Sequence, residues 1–175
     1  MLAAAPVHKI LFFLSVLFGT ESSMVSQESV LHIDREVRTG RITYRGVRVE
    51  KESAGRMPGV LDKLEGKERF AERAKGIELS MVMFRSRNKM LSVEVFFAYE
   101  KEKRMRELFG LTKDEKGRIA FRPRKKESID STNGMISDGM VHWEKGKRKV
   151  MLGLEGKPLG KEKRKEMKGV RYIRQ

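Results

Sequence analysis

The chain contains no cysteine, and this one absence removes disulfide frameworks, thiol catalysis and thiolate metal sites together. It leaves the compartment open, because cysteine-free proteins occur on both sides of a membrane. Histidine is scarce too. Of the three present, His8, His32 and His142, none has a second histidine close enough in sequence to form a ligand pair. Further absences concern phosphate and nucleophile chemistry. No glycine-rich loop of the P-loop or dinucleotide type is present, no zinc-finger spacing, and no nucleophile elbow around Ser128, Ser131 or Ser137. Acidic-x-Lys spacings occur at Glu65 and Lys67, Asp114 and Lys116, and Glu155 and Lys157. A chain this rich in lysine and glutamate produces them by chance. The expectation is a protein without catalysis, without a cofactor and without a metal. The enzymatic alternative is a site assembled from distant residues around His32 or His142, starting from the shared strand face of His32 and Asp34.

Long apolar runs are also few, and the one that stands out lies near the start. Lys9 precedes Ile10 to Phe18, and small or polar residues follow from Gly19 to Ser23. Charge, apolar centre and small exit form the order of a secretory signal, and the run is roughly half of the ~20 residues a spanning helix needs. A mitochondrial presequence fits poorly, since no arginine precedes Arg35. Residues 1–26 therefore read as a signal peptide or short anchor, with processing between about Thr20 and Gln27. Left uncleaved, residues 10–19 would touch a membrane. The competing reading makes the run a buried helix of a cytosolic RNA- or ribosome-associated protein.

What the chain has in excess is positive charge. Its 39 Lys and Arg outnumber 24 Asp and Glu for a net +15, while the apolar fraction is 39% and the charged fraction 36%. The core should be modest and the surface crowded. A net +15 exceeds what solubility requires and attracts polyanions, whether lipid head groups, acidic polymers, acidic proteins or nucleic acid. The excess is uneven: residues 110–175 hold 19 basic and 9 acidic residues, which favours a binding face. Two groups stand out, Arg122, Arg124, Lys125 and Lys126 in one, and Lys145, Lys147, Arg148 and Lys149 in the other. For nucleic acid, Tyr44, Phe121, Trp143 and Tyr172 would be the stacking surfaces, although Tyr44 and Phe121 read better as core.

The pattern of apolar residues predicts an α+β fold with a mainly antiparallel sheet built on hairpins and one principal amphipathic helix. The centre is a hairpin over 76–99: Ile77, Leu79, Met81 and Met83 alternate in one strand, Leu91, Val93, Val95, Phe97 and Tyr99 in the other, with Ser86 to Lys89 as the reversal. Ahead of it, Leu31, Ile33 and Val37 share a face, Thr39-Gly40 is the expected turn, and Gly46 breaks the phase between Ile42/Tyr44 and Val47/Val49. The principal helix is expected over 58–75, on the stripe Val60, Leu61, Leu64, Phe70, Ala71 and Ala74, with Gly66 weakening its middle. A short helix through Met105, Leu108 and Phe109 should end at Gly110. Residues 117–123 predict an edge strand limited by Pro123, residues 127–139 a long loop, and residues 140–154 a hairpin that sets Val141 opposite Val150 and Trp143 opposite Arg148 for stacking. The organisation expected is one domain over 27–159 and a mobile basic tail over 160–175, with Val170, Tyr172 and Ile173 as a short strand.

Overall fold

A computed structural model of the chain describes residues 24–50, 76–125, 127–156 and 161–169. In chain order these form β1 (Met24–Val25), β2 (Glu28–Asp34), β3 (Thr39–Arg45), β4 (Arg48–Glu50), β5 (Ile77–Arg87), β6 (Met90–Tyr99), α1 (Glu102–Phe109), β7 (Thr112–Lys113), β8 (Ile119–Phe121), β9 (Glu127–Thr132), β10 (Met135–Ser137), β11 (Met140–Trp143), β12 (Lys149–Gly156), α2 (Lys161–Glu166) and β13 (Met167–Gly169). The strands build a six-stranded sheet of order β5-β6-β3-β2-β12-β9, a four-stranded sheet of order β10-β11-β8-β7 and a three-stranded sheet of order β1-β4-β13. Every pairing among them is antiparallel. The fold is thus largely β, with the short α1 as the helix that packs on it. The predicted helix over 58–75 lies outside the described residues, as do residues 1–23.

Register explains the core. Because side chains of directly paired residues point to the same face, the large sheet lays down rows that cross it. One runs Leu79, Phe97, Gly40, Ile33, Val150, the next Val82, Val95, Ile42, Leu31, Leu152, and a third Phe84, Val93, Tyr44, Ser29, Leu154. Leu31, Ile42, Val95 and Leu152 are at most 1% exposed. Met105, Phe109, Leu111, Ile119, Phe121, Val141 and Trp143 belong to the same hydrophobic cluster. Helix α1 and the small sheet therefore supply apolar side chains to the core that the large sheet's inner face builds.

The central hairpin forms as its alternation dictates, with Leu91, Val93, Val95, Phe97 and Tyr99 of β6 all buried. Its turn is tighter than expected: Arg87 pairs with Met90, and Asn88 and Lys89 both take positive φ, 51° and 61°, the geometry of a two-residue hairpin loop. In β5 the simple alternation fails. A bulge between Leu79 and Met81 inserts a residue and resets the phase, so that Val82 and Phe84 join Leu79 in packing on the core while Met81 is 44% exposed. Upstream, the turn between β2 and β3 is Arg35 to Arg38 rather than Thr39-Gly40, and Val37 stands exposed in it. The break at Gly46 is where it was expected: φ is 63° there, β3 ends, and β4 leaves for the three-stranded sheet with Val47 and Val49 fully buried.

Three expectations fail because tertiary pairing overrides local signals. Strand β8 lies between β11 and β7 rather than at an edge, since Pro123 falls two residues beyond its end and removes no ladder donor. Residues 127–139 are two strands, β9 and β10, not a loop. The hairpin over 140–154 does not form: β11 pairs with β8 and β10, whereas β12 pairs with β2 and β9. The chain crosses between sheets at the very residues that read as a reversal. At the carboxy-terminal end, α2 leads into β13, which pairs with β4; Val170, Tyr172 and Ile173 lie outside the described residues. Helix α1 ends as predicted, at Gly110 with φ 70°, whose cap orders the last turn. Among the described residues no helix is long and apolar enough to cross a membrane.

Gly40 is the position at which the inner face has no slack. The Phe97 ring lies where a Cβ on Gly40 would project, and from there it meets Phe109 of α1 at 5.2 Å between ring centroids. Gly40→Ala must displace that ring from its helix contact. Overpacking of this kind costs about 1–3 kcal/mol, so the urea midpoint of Gly40→Ala should fall clearly, and an unchanged midpoint would show that Phe97 is free to move.

Candidate polyanion-binding surface

Strand β8 separates the two basic groups. Arg122 follows it directly and reaches back over β11, with Nη2 3.0 Å from Met140 Sδ, and the exposed Arg124 and Lys125 continue from there. The Arg124 amide donates to Glu127 Oε2 at 3.1 Å. Lys126 lies outside the described residues. At the other end of β8, the Lys145 stem approaches Gly117, where a Cβ would be 3.9 Å from its Cε, and Lys147 on the connection from β11 to β12 and Lys149 at the start of β12 are exposed. The two groups thus lie towards opposite ends of β8 in the four-stranded sheet.

Arg148 is set differently from its neighbours. Its guanidinium binds both oxygens of Asp34 at 3.3 Å and Glu36 Oε2 at 2.6 Å. Arg148 lowers the pKa of the Asp34 carboxyl, mainly by hydrogen bonding, and is itself raised by the same contact. The expected stacking of Trp143 on Arg148 does not occur. Trp143 is 1% exposed, and its indole N–H donates to Asn133 Oδ1 at 2.8 Å, because β11 turns that side chain into the core of the other sheet. Tyr44 and Phe121 are buried as well, so none of these three offers a face to a nucleic-acid base; Tyr172 lies outside the described residues.

What holds the basic connection in place is Arg35, a residue that no sequence pattern singled out. Its Nε donates to Glu102 Oε2 at 3.0 Å, and its Nη1 donates to the carbonyls of Lys145 at 3.1 Å and Lys147 at 2.9 Å. Its amide also donates to the Arg148 carbonyl at 2.9 Å. A single planar fork thereby ties the β2–β3 turn to α1 and to the loop that carries Lys145 and Lys147. Glu102 is shared further, with Arg106 Nε and Lys113 Nζ each 3.7 Å from Oε1. Asn133 makes the second seam: besides the indole it accepts the Met151 amide at 2.9 Å, and its Nδ2 donates to the Lys149 carbonyl at 2.9 Å. Sequence offered no signal for either residue, since both act on carbonyls and amides far away in the chain.

The two described histidines, His32 and His142, stand in ordinary surroundings; His8 lies outside the described residues. His32 shares its face with Asp34, but Asp34 is committed to Arg148, and the pKa of His32 is lowered by burial and then by Arg41, which keeps the ring neutral near pH 7. His142 Nδ1 lies 3.6 Å from Asp114 Oδ2, beyond hydrogen-bond range. The Asp114 carboxylate is held instead by the Arg118 guanidinium at 2.6 Å and by the amides of Arg118 and Lys116 at 2.8 and 3.0 Å. Burial works to raise its pKa, yet these donors outweigh it and the carboxyl ends below its ordinary range. Among the described residues no group of three His, Cys, Asp or Glu side chains is placed to hold a metal.

No family model, no curated protein and no solved structure matches the chain.

Two outcomes follow from the Arg35 junction. Arg35→Ala removes the donor to Glu102 Oε2 and to two carbonyls, leaving Glu102 with the longer contacts to Arg106 and Lys113, and hydrogen bonds to charged groups of this kind are worth about 1.5–3 kcal/mol. Arg35→Lys should recover only part of that loss, because a compact ammonium lacks the planar spread of donors that reaches the carboxylate and both carbonyls at once; equal midpoints for the wild type and Arg35→Lys in urea would refute the geometry. Next to this junction the Tyr99 hydroxyl is buried without a hydrogen-bond partner among the described residues. Burial, and after it the charge of Glu102, pushes its pKa from 10.0 up to about 12. The folded state therefore keeps a proton that the unfolded chain releases, so the associated stability is complete below pH 10.0 and is lost as pH rises towards about 12. Tyr99→Phe should lack this component: across that window the wild type should lose urea stability relative to the variant, and parallel curves would contradict it.

Proposed function

We propose that this chain is an exported, non-catalytic basic domain that binds an anionic partner through its lysine and arginine groups. The observation that carries the reading is the pair of exposed basic groups at the two ends of β8, with Lys145, Lys147 and Lys149 forming no ion pair among the described residues. An extended polyanion suits this arrangement better than one isolated head group, because a single small charge reaches only one end. Arg148, drawn to Asp34 and Glu36, shapes the loop and contributes less to binding than the lysines beside it. The proposal keeps the amphipathic helix over 58–75 as part of the domain, on the strength of its apolar stripe. It keeps export as well, on the order of charge, apolar run and small residues before Met24.

Exposed ion pairs are each worth about 0.2–1 kcal/mol, so reversing Lys145, Lys147 and Lys149 to glutamate should weaken binding to heparin or to anionic vesicles about tenfold or more. The dependence of affinity on salt should flatten at the same time. Unchanged affinity and salt slope in this variant would overturn the reading. The amino-terminal residue of protein expressed from its own start codon tests export separately, a chain that begins between about Thr20 and Gln27 being the expected product.

A further inference from the structure

Among the described residues the four-stranded sheet ends at β10, and that edge is unlike the other edges of the two larger sheets. Natural sheets blunt exposed edges with charge, proline or bulges. Of the edge strands of the two larger sheets, β5 has Glu78, Arg85 and a bulge, β9 has Glu127 and Asp130, and β7 has Lys113. Strand β10 is Met-Ile-Ser, with Met135 59% and Ile136 60% exposed. The β10–β11 turn is Asp138-Gly139, both at positive φ, 52° and 69°, which makes Ser137 and Met140 the hydrogen-bonded pair of a two-residue hairpin. By the alternation of an antiparallel ladder, Ile136 then directs its N–H and C=O away from β11, out of the sheet.

The edge is also held ready. Asn133 anchors the residue before β10 through its three hydrogen bonds to Trp143, Met151 and Lys149. Gly134 brings the backbone so close to β11 that a Cβ would lie 2.6 Å from Val141 Cγ1 and 2.8 Å from the His142 carbonyl. A strand fixed in this way loses little freedom when a partner pairs with it. A basic residue stands towards each end: Arg122 meets Met140, the partner of Ser137, and Asn133 Nδ2 donates to the backbone carbonyl of the exposed Lys149.

We infer that β10 is a docking edge for an extended acidic segment of another protein, which adds as a further strand and sets its carboxylates against Arg122 and Lys149. This inference rests on the polyanion reading and narrows it to polypeptide. The outward amide and carbonyl of Ile136 call for a ligand with its own backbone donors and acceptors, and Met135 and Ile136 call for apolar side chains beside them. Polysaccharide and nucleic acid backbones supply neither pattern. A second copy of this chain is disfavoured by its own net +15.

The test uses the full chain and three probes: a short peptide alternating glutamate with valine, polyglutamate of equal charge, and heparin. The alternating peptide should bind more tightly than polyglutamate and should slow hydrogen exchange at the Ile136 amide. Replacing Met135 and Ile136 by threonine keeps strand propensity while removing apolar surface, and should weaken the alternating peptide about tenfold with heparin affinity unchanged. Equal binding of both peptides, or no protection at Ile136, overturns the docking edge and leaves the polyanion reading standing if heparin still binds. Binding of heparin alone does the same. Failure of all three probes removes both readings. Self-association that the threonine variant abolishes makes the edge a dimer contact and overturns the inference.

Discussion

Arg35 is the joint on which the arrangement of this molecule depends. The large sheet and the small one are made from interleaved parts of the chain, and the passage from β11 to β12 runs across the seam between them. Two carbonyls of that passage and the carboxylate of Glu102 converge on one guanidinium. Only arginine offers several donors in a rigid plane on a side chain long enough to reach them. The side chain is 17% exposed and its bond to Glu102 is part-buried, so water competes less for that bond than for a surface ion pair.

Asn133 does comparable work at the opposite margin of the small sheet. It satisfies the indole of the buried Trp143, an amide and a carbonyl of β12, and so couples β10 and β11 to the large sheet without a continuous ladder. The two polar junctions have the same logic. Where a chain leaves one sheet for another, backbone groups lose their ladder partners, and a side chain with a forked set of donors or acceptors replaces them. The apolar cluster supplies the drive to bring the sheets together; these junctions set how they meet.

Charge follows from that framework. Asp34, at the end of β2, and Glu36, on the turn that Arg35 anchors, pair with Arg148, while Lys145, Lys147 and Lys149 form no ion pair among the described residues. Residues that look equivalent in a basic run are thereby given different tasks by the turn that faces them. Likewise Met135 and Ile136 are ordinary strand residues in sequence, and only their place at the end of the sheet order turns them into surface.

The large-sheet core was legible from sequence wherever alternation ran unbroken, as in β2, β3 and β6, and so were the short helix before Gly110 and the break at Gly46. Those features are local, set by side-chain period and by glycine's access to positive φ. The bulge in β5 was not legible, because one inserted residue leaves composition untouched and shifts only the face. Nor was the separation of β11 from β12: Lys145-Gly146 is sound turn chemistry, and local preference could not reveal that each strand had a better partner elsewhere. Of the candidate surface, the amino acids themselves named the basic groups and their sign. Which of them face solvent, which one is spent on carboxylates, and which strand ends a sheet were decided by tertiary structure, because pairing across long stretches of chain determines what each side chain meets.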